Sequence, residues 1–247
     1  MTFIKKLITL LLILTCTSCS LVKNDQAFLH HVSQGLEKKI TFGGMENPKN
    51  MSENEYNKHF VKACEKEIET IGNIQDYTFQ DEELRKIAQD YMDMLELQLS
   101  GKKDEILIGW SHQIVLAQEL NEDYDIECDQ QILEAANQVR PISDTYEIER
   151  YIKETMKIKY DEKNSTQDLQ TYQASFKNFT NTPFDTIKID VEFYDADNNI
   201  IIAQSDQTTR IEPGTKGKFQ FFFSLPEQSQ KVKRIEVKSV HALTNLK

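Results

Sequence analysis

The spacing of apolar residues changes near residue 162, from a repeat of three or four to a repeat of two, and one architecture cannot serve both. Before the change, Tyr56, Phe60, Cys64, Ile68 and Ile71 recur at intervals of four, four, four and three, one face of a helix. Ser52 and Glu55 ahead of them form a capping box, and Gly72 stops the helix. A second helix is predicted from about Asp81 to Ser100, with Leu84, Ile87, Ala88, Tyr91, Leu95 and Leu99 inward and Gly101 as its stop. A third covers about Asp104 to Leu120 on Ile106, Trp110, Ile114 and Ala117. A fourth carries Cys128, Ile132, Ala136 and Val139 and ends at Pro141. A fifth, Asp144 to Lys159, carries Ile148, Tyr151, Ile152 and Thr155. Earlier, Phe28, Leu29, Val32, Leu36 and Ile40 suggest a short opening helix, with "FGGMENPKN" as a loop. Short connections make neighbouring helices antiparallel, so a helical bundle is expected.

Past the change, Tyr172, Ala174 and Phe176 alternate with polar residues. Ile187, Ile189, Val191 and Phe193 do the same, as do Phe219, Phe221 and Phe223, and Ile235 and Val237. Turn signals separate them at Asn181-Thr182-Pro183, Asp197-Asn198-Asn199, Pro213-Gly214 and Pro226. Such strands read as a small antiparallel sandwich. The expected fold is therefore α+β in two domains, an antiparallel helical bundle over 51–162 and a β-sandwich over 163–247. Residues 19–50 would be a tether and short helix.

The second half also resembles a known family, the FxLYD domain of bacterial envelope lipoproteins. The matches are "SFKNFTN" (Phe176, Asn178, Asn181), "VEFYDADNN" (Val191, Phe193, Tyr194, Asp195) and "RIEPGTKGKF" (Ile211, Pro213, Gly214, Phe219). Val191 and Phe193 stand where the family's usual Phe and Leu fall, and Ala174 and Asn199 where Gly is common. The resemblance covers about the last third of the chain. It implies an immunoglobulin-like sandwich on an anchored envelope protein, and no reaction.

The N-terminus has Lys5 and Lys6, then an apolar run from Leu7 to Leu14, then "TCTSC". The run is too short for a hydrocarbon core of ~30 Å, so residues 1–18 read as a signal peptide. "CTSC" resembles the lipobox of bacterial lipoproteins, with Cys16 where Leu is usual. That resemblance implies cleavage before Cys19, a diacylglycerol on its sulfur and acylation, for instance with palmitate, of its amine. A redox or metal Cys-x-x-Cys needs a folded setting that a cleaved peptide does not supply. A plainly secreted protein is the remaining alternative. Without residues 1–18, 27 Lys and Arg face 40 Asp and Glu, a net of −13. Membrane association would then rest on the lipid rather than on charge, and nucleic acid is an unsuitable partner.

Cys64 and Cys128 are either a disulfide or two buried thiols. Asp195, Asp197 and Asn199 match the first, third and fifth positions of a calcium loop, but Ile200 occupies the required Gly position. The alternative is a hairpin with Asn198 and Asn199 at positive φ. His30, His31, His59, His112 and His241 lack metal-binding spacing and read as solvated or incidental. "NEDYDIECD" (Asn121 to Asp129) reads as a solvated helix start, the alternative being an acidic cluster that attracts a divalent cation or a basic partner. Phe222, opposite Phe221 and Phe223, reads as packing between domains or as part of an exposed patch. No nucleophile elbow or glycine-rich phosphate loop is present. The expectation is a lipid-anchored envelope protein, its body in the periplasm or extracellular space, that binds or scaffolds another envelope component without cofactor or metal. The alternatives are a hydrolase or transferase with paired carboxylates in a groove between helices, and a receptor with an apolar cavity in the bundle.

Overall fold

The computed structural model describes residues 23–44, 51–166, 168–224 and 231–244. Residues 1–18, expected to be a signal peptide, and Cys19 lie outside the described residues. The chain is mixed α and β, with five α-helices and antiparallel sheets. It falls into two compact units, Met1–Ala136 and Asn137–Lys247.

The first unit holds α1 (Asp25–Lys39), α2 (Glu53–Ile71), α3 (Glu82–Leu99) and α4 (Lys103–Tyr124). A two-residue parallel ladder joins β1 (Lys23–Asn24) to β2 (Tyr77–Thr78). Each early helix starts on a side-chain cap: Asn24 accepts from the Ala27 amide, Ser52 and Glu55 form the expected capping box, and Asp81 accepts from the Glu83 and Leu84 amides. Such caps satisfy amides that lack helical partners. The segment read as a loop after α1 begins as a π-helical turn, Ile40–Gly44, and 45–50 lie outside the described residues. Ser111 to Ala117 of α4 are buried all round, which makes α4 the central helix of its unit.

"NEDYDIECD" is not a helix start. α4 runs through Tyr124 and closes on Asp125 in the left-handed region (φ 56°), and Ile126 is buried. Only Asp129 caps a helix, accepting from the Gln131 amide. The fourth and fifth predicted helices are one, α5 (Gln130–Thr155), with Pro141 inside it. A proline removes one ladder bond at a cost of ~3 kcal/mol, which neighbouring packing overrides here. Cys128 precedes that helix, and Tyr151 and Thr155 face solvent. The division between units falls within α5 rather than near 162, because Ile148 and Ile152 belong to the core of the sheets.

In the second unit, β3 (Lys159–Tyr160), β4 (Gln170–Lys177) and β7 (Lys216–Phe223) form one antiparallel sheet in the order 3-4-7. β5 (Phe184–Tyr194), β6 (Ile200–Ile211) and β8 (Arg234–Leu243) form another, in the order 6-5-8. Both contribute to one cluster: Tyr172, Phe176, Phe219, Phe221 and Phe223 from the first, and Ile187, Ile189, Val191 and Phe193 from the second. Phe193 meets Tyr172 at 5.1 Å and Phe223 at 4.9 Å between ring centres. Each such side chain contributes ~1.5–3 kcal/mol on burial. The side chain of Asn178 ties two turns together, donating to the Thr182 and Ile211 carbonyls and accepting from the Thr180 amide. Gly217 lies opposite Phe176, where a Cβ would collide with the ring.

Three strand details add to the alternation read from the sequence. β6 carries little apolar alternation and is half exposed. In β8 the buried residues are Val240 and Ala242, while Ile235 and Val237 are half-buried. The pairing slips between Asp190 and Val191, so Lys238 is an extra residue that swaps the strand's faces. Phe222 is 59% exposed.

Candidate functional site

Four polar side chains meet in the core of the helical unit. Lys39 of α1 and Glu67 of α2 are fully buried and lie 3.2 Å apart. The Lys39 ammonium also donates to the side-chain oxygens of Gln98 and Gln113, each at 2.7 Å. It sits 4.7 Å from the Trp110 ring centre and 5.1 Å from that of Phe60. Gln113 donates to Glu67 at 2.7 Å and to the Tyr91 hydroxyl at 2.8 Å, and Tyr91 donates to Glu67 at 2.5 Å. Gln98 donates to Gln113 and to the Met94 carbonyl, and accepts from the Cys64 thiol at 3.5 Å. Burial and then the Glu67 charge push the Tyr91 hydroxyl well up. The set is closed to solvent, and the second Glu67 oxygen, Oε2, faces the Lys39 charge without accepting a hydrogen bond, an arrangement that organises a buried core.

Sequence reading passed over all four, yet the signal was there. Lys39 continues the stripe of Phe28, Val32 and Leu36. Glu67 falls between Cys64 and Ile71, Gln98 follows Leu95, and Gln113 follows Trp110. Each is a polar residue at a core position of its helix.

Cys64 and Cys128 are free thiols here. Burial raises the Cys64 thiol, and burial followed by Asp129 raises Cys128 to about 11. Cys128 lines a hollow of about 400 Å³ with Glu37, Glu127 and Asp129. A thiol held protonated is the opposite of an activated nucleophile. His30 and His241 are exposed, as the solvated reading expects, and the other three histidines differ. His112 is buried. His59 bonds the Phe42 carbonyl at 2.7 Å and stacks on its ring. His31 Nδ1 lies 2.6 Å from the Tyr77 hydroxyl, which donates to the Ile71 carbonyl, so the imidazole is the donor. Among the described residues, no three His, Cys, Asp or Glu are grouped to hold a metal ion. Asp195 accepts from the Asp197 and Asn199 amides, and Asn198 alone takes positive φ (64°). That is a closed hairpin turn, with only one of the two expected asparagines in the left-handed region.

A groove of about 840 Å³ lies in the second unit. Its floor is apolar: Met156, Ile158, Val232, Ile235 and Val237 rest half-buried on the sheet cluster. Its rim is basic, with Lys153, Lys157, Lys159, Lys233 and Lys238. Lys238 is bound to Glu192 at 3.2 Å and to Glu236 at 3.4 Å, and Glu236 also pairs with Arg234. The other four lysines have no ion-pair partner among the described residues. Sequence reading missed this site because its walls come from the end of α5, from β3 and from 232–238, some 75 positions apart.

No protein-family model matches this chain, and no curated protein matches it. Among the described residues, no helix is long and apolar enough to cross a membrane.

Proposed function

We propose that the chain is a lipid-anchored envelope protein that works by binding another component, without turnover. The observation that carries the binding reading is the groove of the second unit. Half-buried apolar side chains lie there beneath four ammonium groups that have no ion-pair partner among the described residues, a mixed surface suited to an acidic partner. Its one carboxylate, Glu236, is engaged by Arg234 and Lys238, which suits recognition better than acid–base work.

Anchoring rests on Lys5, Lys6, the run Leu7 to Leu14 and Cys19, the acceptor that the lipobox resemblance implies. α1 begins at Asp25 and the β1 ladder at Lys23, so four peptide steps separate Lys23 from Cys19. Those steps span at most about 14 Å, and the helical unit would be held close to the bilayer. The reading of the two units as a helical bundle and an FxLYD-like immunoglobulin sandwich belongs to the same proposal. It is supported by the two antiparallel sheets sharing one apolar cluster.

Mass spectrometry of the mature N-terminal peptide tests the anchor, with a diacylated peptide beginning at Cys19 expected. Passing the purified protein through an envelope extract tests the binding role. A turnover activity with no retained partner would overturn it.

A further inference from the structure

We infer that the groove takes an extended, acidic segment of a partner protein, added as a strand along the free edge of β8. This rests on the binding role proposed above and names its site and ligand chemistry.

Three observations lead there. First, the groove runs along sheet edges. β8 has β5 on one side and, among the described residues, no strand on the other, and β3 is only two residues long. A free edge offers a row of backbone donors and acceptors that an extended segment can pair with. Second, side chains cover parts of the β7 edge and the far end of β8. The Asp206 carboxylate accepts from the Gln220 amide at 2.7 Å, and the Gln204 amide donates to the Phe222 carbonyl at 3.1 Å, so β6 side chains occupy backbone groups of the β7 edge. At the far end of β8 the Ala242 amide is taken by Glu149 at 2.7 Å. The stretch that borders the groove, Val232 to Lys238, has no such plug among the described residues.

Third, the charge is specific to this place. Residues 137–247 hold 16 Lys and Arg against 16 Asp and Glu, a net of zero, whereas residues 1–136 hold 13 against 24. On the neutral unit, Lys153, Lys157, Lys159 and Lys233 are unpaired and gathered at one groove. An incoming strand with period-two side chains would set its apolar residues on Met156, Ile158, Ile235 and Val237 and its carboxylates toward those lysines. The chain's own alternating acidic stretch, Asp125 to Asp129, is not free for this. Its Ile126 is buried and the Glu127 carbonyl accepts from Ser33 at 2.8 Å. That stretch is therefore not the occupant, and the strand is assigned to a separate protein.

The test uses the whole purified chain and two fluorescein-labelled ten-residue peptides, one alternating Glu with Val and the other Lys with Val, read by anisotropy. The Glu peptide is expected to bind and the Lys peptide to fail. Reversing two exposed rim charges together, Lys157→Glu and Lys233→Glu, weakens binding by about tenfold or more, as does raising the salt. Hydrogen exchange should show new protection in Ile235 to Lys238. A circular dichroism spectrum unchanged by the double reversal shows that the fold is intact. Should that variant unfold, Lys153→Gln and Lys159→Gln replace it with a smaller loss expected. Equal binding of both peptides, an unweakened charge-reversed variant, or protection confined to other strands would overturn the inference. So would capture by phosphatidylserine vesicles with no peptide binding. Retention of an envelope component that competes with neither peptide overturns the strand inference alone and leaves the binding role standing.

Discussion

Lys39 and Glu67 lose their hydration when the helical unit closes, and the only compensation is the set of groups built around them. Removing one charge leaves the other buried without a counter-charge, which costs about 3–5 kcal/mol, whereas replacing both with apolar residues is often much milder. Lys39→Met alone should therefore lower the urea midpoint far more than Lys39→Met with Glu67→Met. A single variant no worse than the double would show that the pair is not electrostatically coupled. The thiols give a second check. Because burial and Asp129 hold Cys128 at about 11, its thiolate fraction at pH 8 is ~10⁻³, some two orders below an ordinary thiol. Alkylation of Cys128 in the folded chain should be slow at pH 8 and should rise about tenfold per pH unit up to pH 10. Rapid labelling at pH 8 would mean that this environment is wrong.

Helices α3 and α4 touch where Gly109 faces Met94 and Gln98. A Cβ at Gly109 would lie 2.8 Å from both the Gln98 Cγ and the Met94 carbonyl oxygen. Gly109→Ala must push the helices apart beside the buried network, at a cost of about 1–3 kcal/mol, visible as a lower melting temperature. In the sheets, Asp190 of β5 accepts from Ser205 of β6 and from Ser239 of β8, the latter at 2.5 Å, so one carboxylate joins three strands. The Ser205 and Ser239 bonds hold it at about 2, below its ordinary 3.8. A depressed value means stability that is present above 3.8 and lost as pH falls toward 2. The stability difference between the wild type and Asp190→Asn should accordingly be full at neutral pH and close across that window. A difference independent of pH would sink the assignment. Much of this was legible in the chain and some was not, for identifiable reasons. The Ser52 and Glu55 cap and the alternation of Ile187 to Phe193 are local signals, and both reappear in the structure. The break at Pro141 misled because propensity was outweighed by packing of Ile148 and Ile152. The face swap in β8 was hidden because a bulge leaves no mark in hydrophobic spacing. The groove was hidden because its residues meet only after folding.

Charge is distributed unevenly between the two units. Residues 1–136 carry a net −11 and residues 137–247 none. Self-repulsion of like charges opposes the compact state and is screened by salt, with a Debye length near 10 Å at 0.1 M and ~30 Å at 0.01 M. The helical unit should therefore gain stability from salt and the sheet unit should gain little. The single tryptophan makes this measurable, because Trp110 lies in α4 above the Lys39 ammonium and reports on the helical unit alone. Amides of β5, the central strand of its sheet, report on the other unit by hydrogen exchange. Between about 0.01 M and 0.5 M sodium chloride, the urea midpoint followed by Trp110 fluorescence should rise, while the opening free energy of the β5 amides stays nearly constant. Sodium chloride separates this from general exclusion effects, because sulfate would strengthen burial in both units. α5 runs unbroken across the division, so equal shifts in the two probes would show that the shared helix makes the chain unfold as one cooperative block. In that case the charge imbalance would govern the whole protein rather than one half.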